Sequence, residues 1–136
     1  MKVLIYTGYQ KLPFNKKTWL ELGAGGTEYS TIKLADYLFA EGYNVVVSGE
    51  VISDVCDGVV YTNIRELQEN QHFDIVIATA YIHYIKVLES LNISYDKSFF
   101  WIHNEEFYPW YNGEVLENNK DNVKVVLRDM KIGSII

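Results

Sequence analysis

The chain has 136 residues and a formal charge of -6, enough length for one domain with a core and too little for two of ordinary size. The acidic balance argues against nucleic acid as a partner, because phosphate binding needs a basic surface. No apolar run is long enough to span a membrane, the apolar part of the opening MKVLIYTGY is too short for a signal peptide, and a single cysteine, Cys56, excludes an internal disulfide. A reducing cytoplasm is the expected setting.

In chain order, Lys2 to Thr7 is a short apolar run that ends near Gly8, as a buried strand does. Residues Tyr9 to Gly26 read as a long irregular segment containing Pro13 and three lysines, Lys11, Lys16 and Lys17. Thr27 to Glu41 reads as a helix, with Tyr29, Ile32, Ala35 and Phe39 on one face, Leu38 beside them, and Gly42 in the place of a C-cap glycine. Asn44–Gly49 and Gly58–Thr62 are the second and third strands, and Ile64 to Asn70 a short helix. Asp74–Thr79 is a fourth strand, Tyr81 to Leu91 a helix, Ser98–His103 a fifth strand and Asn122–Leu127 a sixth. These strands are almost wholly apolar and are separated by helices or by connections long enough to cross over. That pattern defines a doubly wound α/β domain, with a parallel sheet of about six strands covered on both faces. No repeat or internal linker interrupts residues 1–136.

In such folds ligands bind beyond the carboxyl ends of the strands, where the stretch LELGAGGTEYS lies. Gly25 and Gly26 precede a helix whose first N–H groups and positive dipole end attract anions, and they present no Cβ to keep a phosphate away. A glycine turn that merely enters the helix, with Thr27 as its cap, explains the same residues equally well. No Gly-Lys-Ser/Thr follows, so a Walker loop is excluded. The dinucleotide fingerprint fits only in part: Glu28 stands where its third glycine belongs, and the connection from the first strand is far too long. Glu50, after the second strand, is the residue that would hold a ribose, which keeps a Rossmann-type nicotinamide-binding protein as a minor alternative.

The segment GAGGTEYSTIKLADYLFAEGYNVVVSG resembles the amino-terminal half of the GT-B glycosyltransferases, glycosyltransferase family 4 in particular. The matching features are Gly25, Gly26 and Glu28 in a Gly-Gly-x-Glu loop, Leu34-Ala35, the Gly42-Tyr43 pair and Val45 to Val47. A second hallmark, a histidine at the end of a later apolar strand, is matched by His103-Asn104 in FFWIHNE. The resemblance implies a single Rossmann-like half of a GT-B fold, acceptor-side, over residues 1–136. It implies transfer of a sugar from a nucleotide-sugar co-substrate to a carbohydrate or other acceptor, with retention and without a required metal or further cofactor. Gly25, Gly26 and Thr27 would border the donor diphosphate, and His103 and Asn104 the donor sugar. Trp19, Tyr108 and Trp110 are the acceptor-side candidates, and no catalytic residue is assigned. The donor-binding carboxyl-terminal domain of that family has no counterpart in these 136 residues. Little transfer activity is therefore expected of this chain alone, together with self-association or a separate donor-domain subunit. The aromatic loop Phe107 to Tyr111 and the terminal IGSII are the candidate contact segments. A non-catalytic carbohydrate or nucleotide-sugar binding module is the alternative.

Several other residues read more plainly. Lys11, Lys16 and Lys17 either steer an anion toward the glycines or form a solvated run. Glu105 and Glu106 are adjacent carboxylates on a loop edge, since hydrolysis of a glycoside needs two carboxylates set across the bond. His72 and His83 read as structural or exposed, and no metal-ligand spacing is present.

Overall fold

The computed structural model describes residues 1–8, 12–23, 26–79, 83–102 and 123–127. Seven strands form one sheet: β1 (Lys2–Tyr6), β2 (Asn44–Gly49), β3 (Asp54–Cys56), β4 (Val59–Asn63), β5 (His72–Ala78), β6 (Ser94–Ile102) and β7 (Val123–Leu127). Their spatial order is β3-β4-β2-β1-β5-β6-β7, and every pairing is parallel except β3 with β4. Counting the parallel strands alone, the order is 3-2-1-4-5-6, that of the dinucleotide-binding α/β folds.

Among the described residues three helices accompany the sheet: α1 (Lys16–Leu22), α2 (Gly26–Ala40) and α3 (Tyr84–Ser90). Alternate residues of each strand enter opposite cores. Val3 and Ile5 of β1, Val45 and Val47 of β2, and Ile75 and Ile77 of β5 pack with Ile32, Leu34, Ala35 and Leu38 of α2. Leu4, Tyr6, Val76, Ala78 and Phe100 pack on the other face with Tyr84, Ile85 and Leu88 of α3. The β1–α2–β2 crossover thus covers one face and β5–α3–β6 the other, as the doubly wound expectation requires.

Besides the earlier starts of β5 at His72 and β6 at Ser94, the elements differ from the sequence reading in four places. First, the segment read as irregular contains α1. Asn15 caps it by accepting from the Thr18 N–H at 3.0 Å, while the Asn15 N–H donates to Thr18 Oγ1 at 2.9 Å. Ahead of the cap, Phe14 bridges in parallel to Val51, and the Asn15 amide donates to the Ile52 carbonyl at 3.2 Å. Second, an antiparallel edge strand, β3, adds to the six expected. It reaches β4 through the two-residue turn Asp57-Gly58, whose φ values of 49° and 88° are both positive, as a tight hairpin demands. Third, the helix expected over Ile64 to Asn70 is only a 3-10 turn, Ile64–Glu66, because Leu67 already returns to extended backbone.

The fourth difference is the buried face of α2. Ile32, Leu34, Ala35 and Leu38 are fully buried, whereas Tyr29 and Phe39 are each more than two-fifths exposed. Tyr29 meets Trp19 of α1 edge-on at 5.5 Å instead, and Phe39 lies over Gly58. The expected C-cap is present: Gly42 has φ +95°, its N–H donates to Phe39 O at 3.0 Å, and Tyr43 N–H donates to Leu38 O at 3.1 Å. This pair of bonds satisfies two carbonyls at the end of α2 and turns the chain into β2. Asn92 does the same for α3, with φ +53° and Ile93 N–H bonded to Leu88 O at 2.9 Å.

Candidate functional site

In this sheet order α2, between β1 and β2, and α3, between β5 and β6, pack on opposite faces, the arrangement in which such folds have a crevice outside the carboxyl ends of the two neighbouring strands β1 and β5. The floor of this edge is tightly built. Backbone bonds continue past the strands, from Thr7 N–H to Ser48 O at 2.8 Å, Thr79 N–H to Tyr6 O at 2.9 Å and Glu50 N–H to Gly8 O at 3.0 Å. Four hydroxyl residues, Thr7, Thr31, Ser48 and Thr79, are buried here. Each finds a partner, as burial demands. Thr7 Oγ1 donates to Ser48 O, Ser48 Oγ donates to Thr62 O, and Thr31 Oγ1 lies 3.1 Å from Thr79 Oγ1.

The last contact matters most for position. Thr31 belongs to the second turn of α2 and Thr79 follows β5. Their hydrogen bond fixes the amino end of α2 against the crevice, with the N–H groups of its first turn, from Gly26, at that edge. Glu28 is an acidic residue in the same turn, where it complements the helix dipole. Thr79→Val should remove this link and leave the Thr31 hydroxyl to find another acceptor. The expected loss is about 1–2 kcal/mol in urea unfolding.

Two glycines shape the rim. Gly8 has φ +68° and Gly49 has φ +137°. A Cβ on Gly49 would lie 2.9 Å from both the N and the O of Gly8 and would also collide with Thr7 Oγ1. Here glycine allows the ends of β1 and β2 to pack backbone to backbone, a requirement invisible in the sequence.

Of the residues expected at the site, Gly26 and Thr27 open α2 at the carboxyl edge. Ile102 ends β6 at the same edge. Gly25, His103, Asn104, Tyr108 and Trp110 lie outside the described residues, as do Glu105, Glu106 and both expected contact segments. Trp19 is partly buried between α1 and α2, with Lys33 Nζ 5.4 Å from its ring centroid and 5.5 Å from that of Tyr29.

Lys11 lies outside the described residues, and Lys16 and Lys17 are engaged in ion pairs, Lys16 partly buried and Lys17 still exposed. Lys16 Nζ is 2.9 Å from Asp36 of α2 and 2.7 Å from Asp57 of the hairpin, and Lys17 Nζ is 2.7 Å from Asp54 of β3. Hydrogen bonds to Asp57 and Asp36 hold the Lys16 ammonium above the ordinary lysine range, and Lys16 in turn holds the Asp57 carboxyl below its own. These pairs tie α1 to α2 and to the β3–β4 hairpin. Glu50 stands at the end of β2, where a ribose-binding acid belongs, with an oxygen 3.5 Å from the exposed Arg65 guanidinium.

One cluster escaped the sequence reading. His72 opens β5 and pairs in register with Ser94, which opens β6. His72, Asp74 and Asp96 each offer a ligand atom, all within 4.8 Å of one another. The local signal is a histidine and an aspartate two residues apart at a strand start, but Asp96 is distant in sequence and only strand pairing brings it in. His83, by contrast, stands at the N-cap of α3 without a side-chain capping bond. Among the described residues, no helix is long and apolar enough to cross a membrane.

Comparisons with protein-family models, with curated proteins and with solved structures find no match for this chain.

Proposed function

We propose that this chain is the acceptor-side Rossmann-like half of a GT-B glycosyltransferase that receives the diphosphate of a nucleotide-sugar at the amino end of α2. The observation that carries this reading is the Thr31–Thr79 contact, which holds the first turn of a 15-residue helix beside the sheet's crevice. Gly25 and Gly26 let phosphate oxygens approach the free N–H groups, with Thr27 beside them. Fixed N–H dipoles of this kind stabilise a leaving diphosphate as its charge develops. His103 and Asn104 follow β6 in sequence and take the donor sugar, while Trp19, Tyr108 and Trp110 serve the acceptor side. A second body carrying the donor domain, or a second copy, completes the enclosure that transfer requires.

The nicotinamide alternative fits less well. A dinucleotide fold turns from its first strand straight into a helix, whereas here α1 intervenes between β1 and α2. A non-catalytic binding module would use the same edge and differs only in lacking transfer.

The test is binding of a panel of nucleotide sugars by calorimetry, with the chain and its Gly26→Val variant. The variant should keep its circular dichroism and lose about tenfold or more in affinity, or ~1.4 kcal/mol, for whichever donor binds. Equal affinity would leave Gly26 as a turn residue only.

A further inference from the structure

We propose that His72, Asp74 and Asp96 form a Zn(II) site at the amino-terminal edge of the sheet, opposite the crevice and independent of it. Three observations combine. The first is proximity: the three ligand atoms lie within 4.8 Å of one another, and His72 Nε2 is already 3.2 Å from Asp96 Oδ1. Bonds of about 2.0–2.1 Å in a tetrahedral zinc site separate its ligands by about 3.4 Å, so the three atoms are already near the spacing that an ion requires.

The second is orientation. His72 Nδ1 lies 2.7 Å from Ser94 Oγ, which leaves Nε2 for the metal. Asp74 Oδ2 accepts the backbone N–H of Lys2 at 2.7 Å. Metal-binding imidazoles and carboxylates are characteristically held by such outer hydrogen bonds.

The third is charge. Among the described residues neither aspartate has a lysine or arginine ion-pair partner. The nearby Lys2 ammonium donates to Gln71 Oε1 at 2.9 Å and lies 4.5 Å from the centroid of the Phe73 ring. One imidazole and two carboxylates suit zinc, with water in the fourth position. His72 and Asp96 are roughly half or more exposed, so an ion enters directly from solvent. Bound there, it would clamp β5 to β6 beside the start of β1.

The experiment uses the full chain, freed of metal by a chelator and then titrated with Zn(II). One ion per chain should bind with micromolar affinity, and excess Zn(II) should raise the melting temperature by roughly 5 °C. His72→Gln and Asp96→Asn change exposed side chains and should keep the apo melting temperature while losing both effects. Ser94→Ala should weaken binding about tenfold, because the imidazole loses its orienting partner. Absence of saturable one-to-one binding, or unchanged affinity in His72→Gln, would overturn the proposal.

Discussion

Gly49→Ala is expected to destabilise the protein by about 2–4 kcal/mol, a large loss for a single methyl group. Two effects add. At φ +137° the backbone lies in a region that residues with a Cβ rarely adopt. The new methyl would also sit 2.9 Å from two backbone atoms of Gly8, which is held by the Glu50 N–H bond to its carbonyl. Backbone cannot swing aside as a side chain can, so relief requires the ends of β1 and β2 to separate. Gly58 provides the contrast. The nearest atoms to its added Cβ belong to the ring of Phe39, a 43% exposed side chain that can shift more readily than backbone, and Asn is tolerated at positive φ. Urea unfolding of Gly49→Ala and Gly58→Asn should therefore rank the first as clearly more damaging. The reverse ranking would contradict the packing described for the carboxyl edge.

Leu38→Ala should cost about 2–5 kcal/mol, the range for emptying a fully buried leucine site. Leu38 is enclosed between α2 and the sheet with Ile32, Leu34 and Ala35. Phe39→Ala removes a larger side chain but should cost less, because that ring is 43% exposed. This pair tests the orientation of α2 directly. If Phe39→Ala proved the more damaging, the helix would present the face that simple periodicity suggests. A loss at Leu38 without change in the slope of unfolding against denaturant would locate the effect in the native core.

The central strands were legible because they are buried on both faces. Runs such as Val45 to Val47 and Ile75 to Ile77 need no partner information to be recognised. The Gly42 cap was legible for a similarly local reason, since it follows a periodic segment at once. Elements dependent on distant partners were harder to read. The polar start of β6, Ser94 to Lys97, becomes strand only by pairing with His72 to Ile75. Helix α1 has no fully buried residue and is held by the partly buried Trp19 and by ion pairs to Asp36, Asp57 and Asp54, so its sequence lacks a broad apolar stripe. Two local signals mark elements that apolar periodicity alone does not reveal: the Asn15-x-x-Thr18 capping box and the Asp57-Gly58 hairpin turn. At the site, the glycines near the start of α2 were visible in the sequence, but the buried Thr31–Thr79 contact that positions the helix's amino end spans 48 residues. Tyr29 departs from the face that periodicity gives it because Trp19 offers it another surface.

In the proposed function a nucleotide-sugar diphosphate binds at the amino end of α2. Backbone amide shifts in a 1H–15N spectrum, followed while a nucleotide-sugar donor is titrated, test it most directly. Saturable shifts are expected, confined to the carboxyl edge, at the first turn of α2 from Gly26 to Tyr29 and at Gly8, Gly49 and Thr79. Shifts confined to the opposite edge, around His72 and Ser94, or no saturable shifts with any nucleotide sugar, would contradict it.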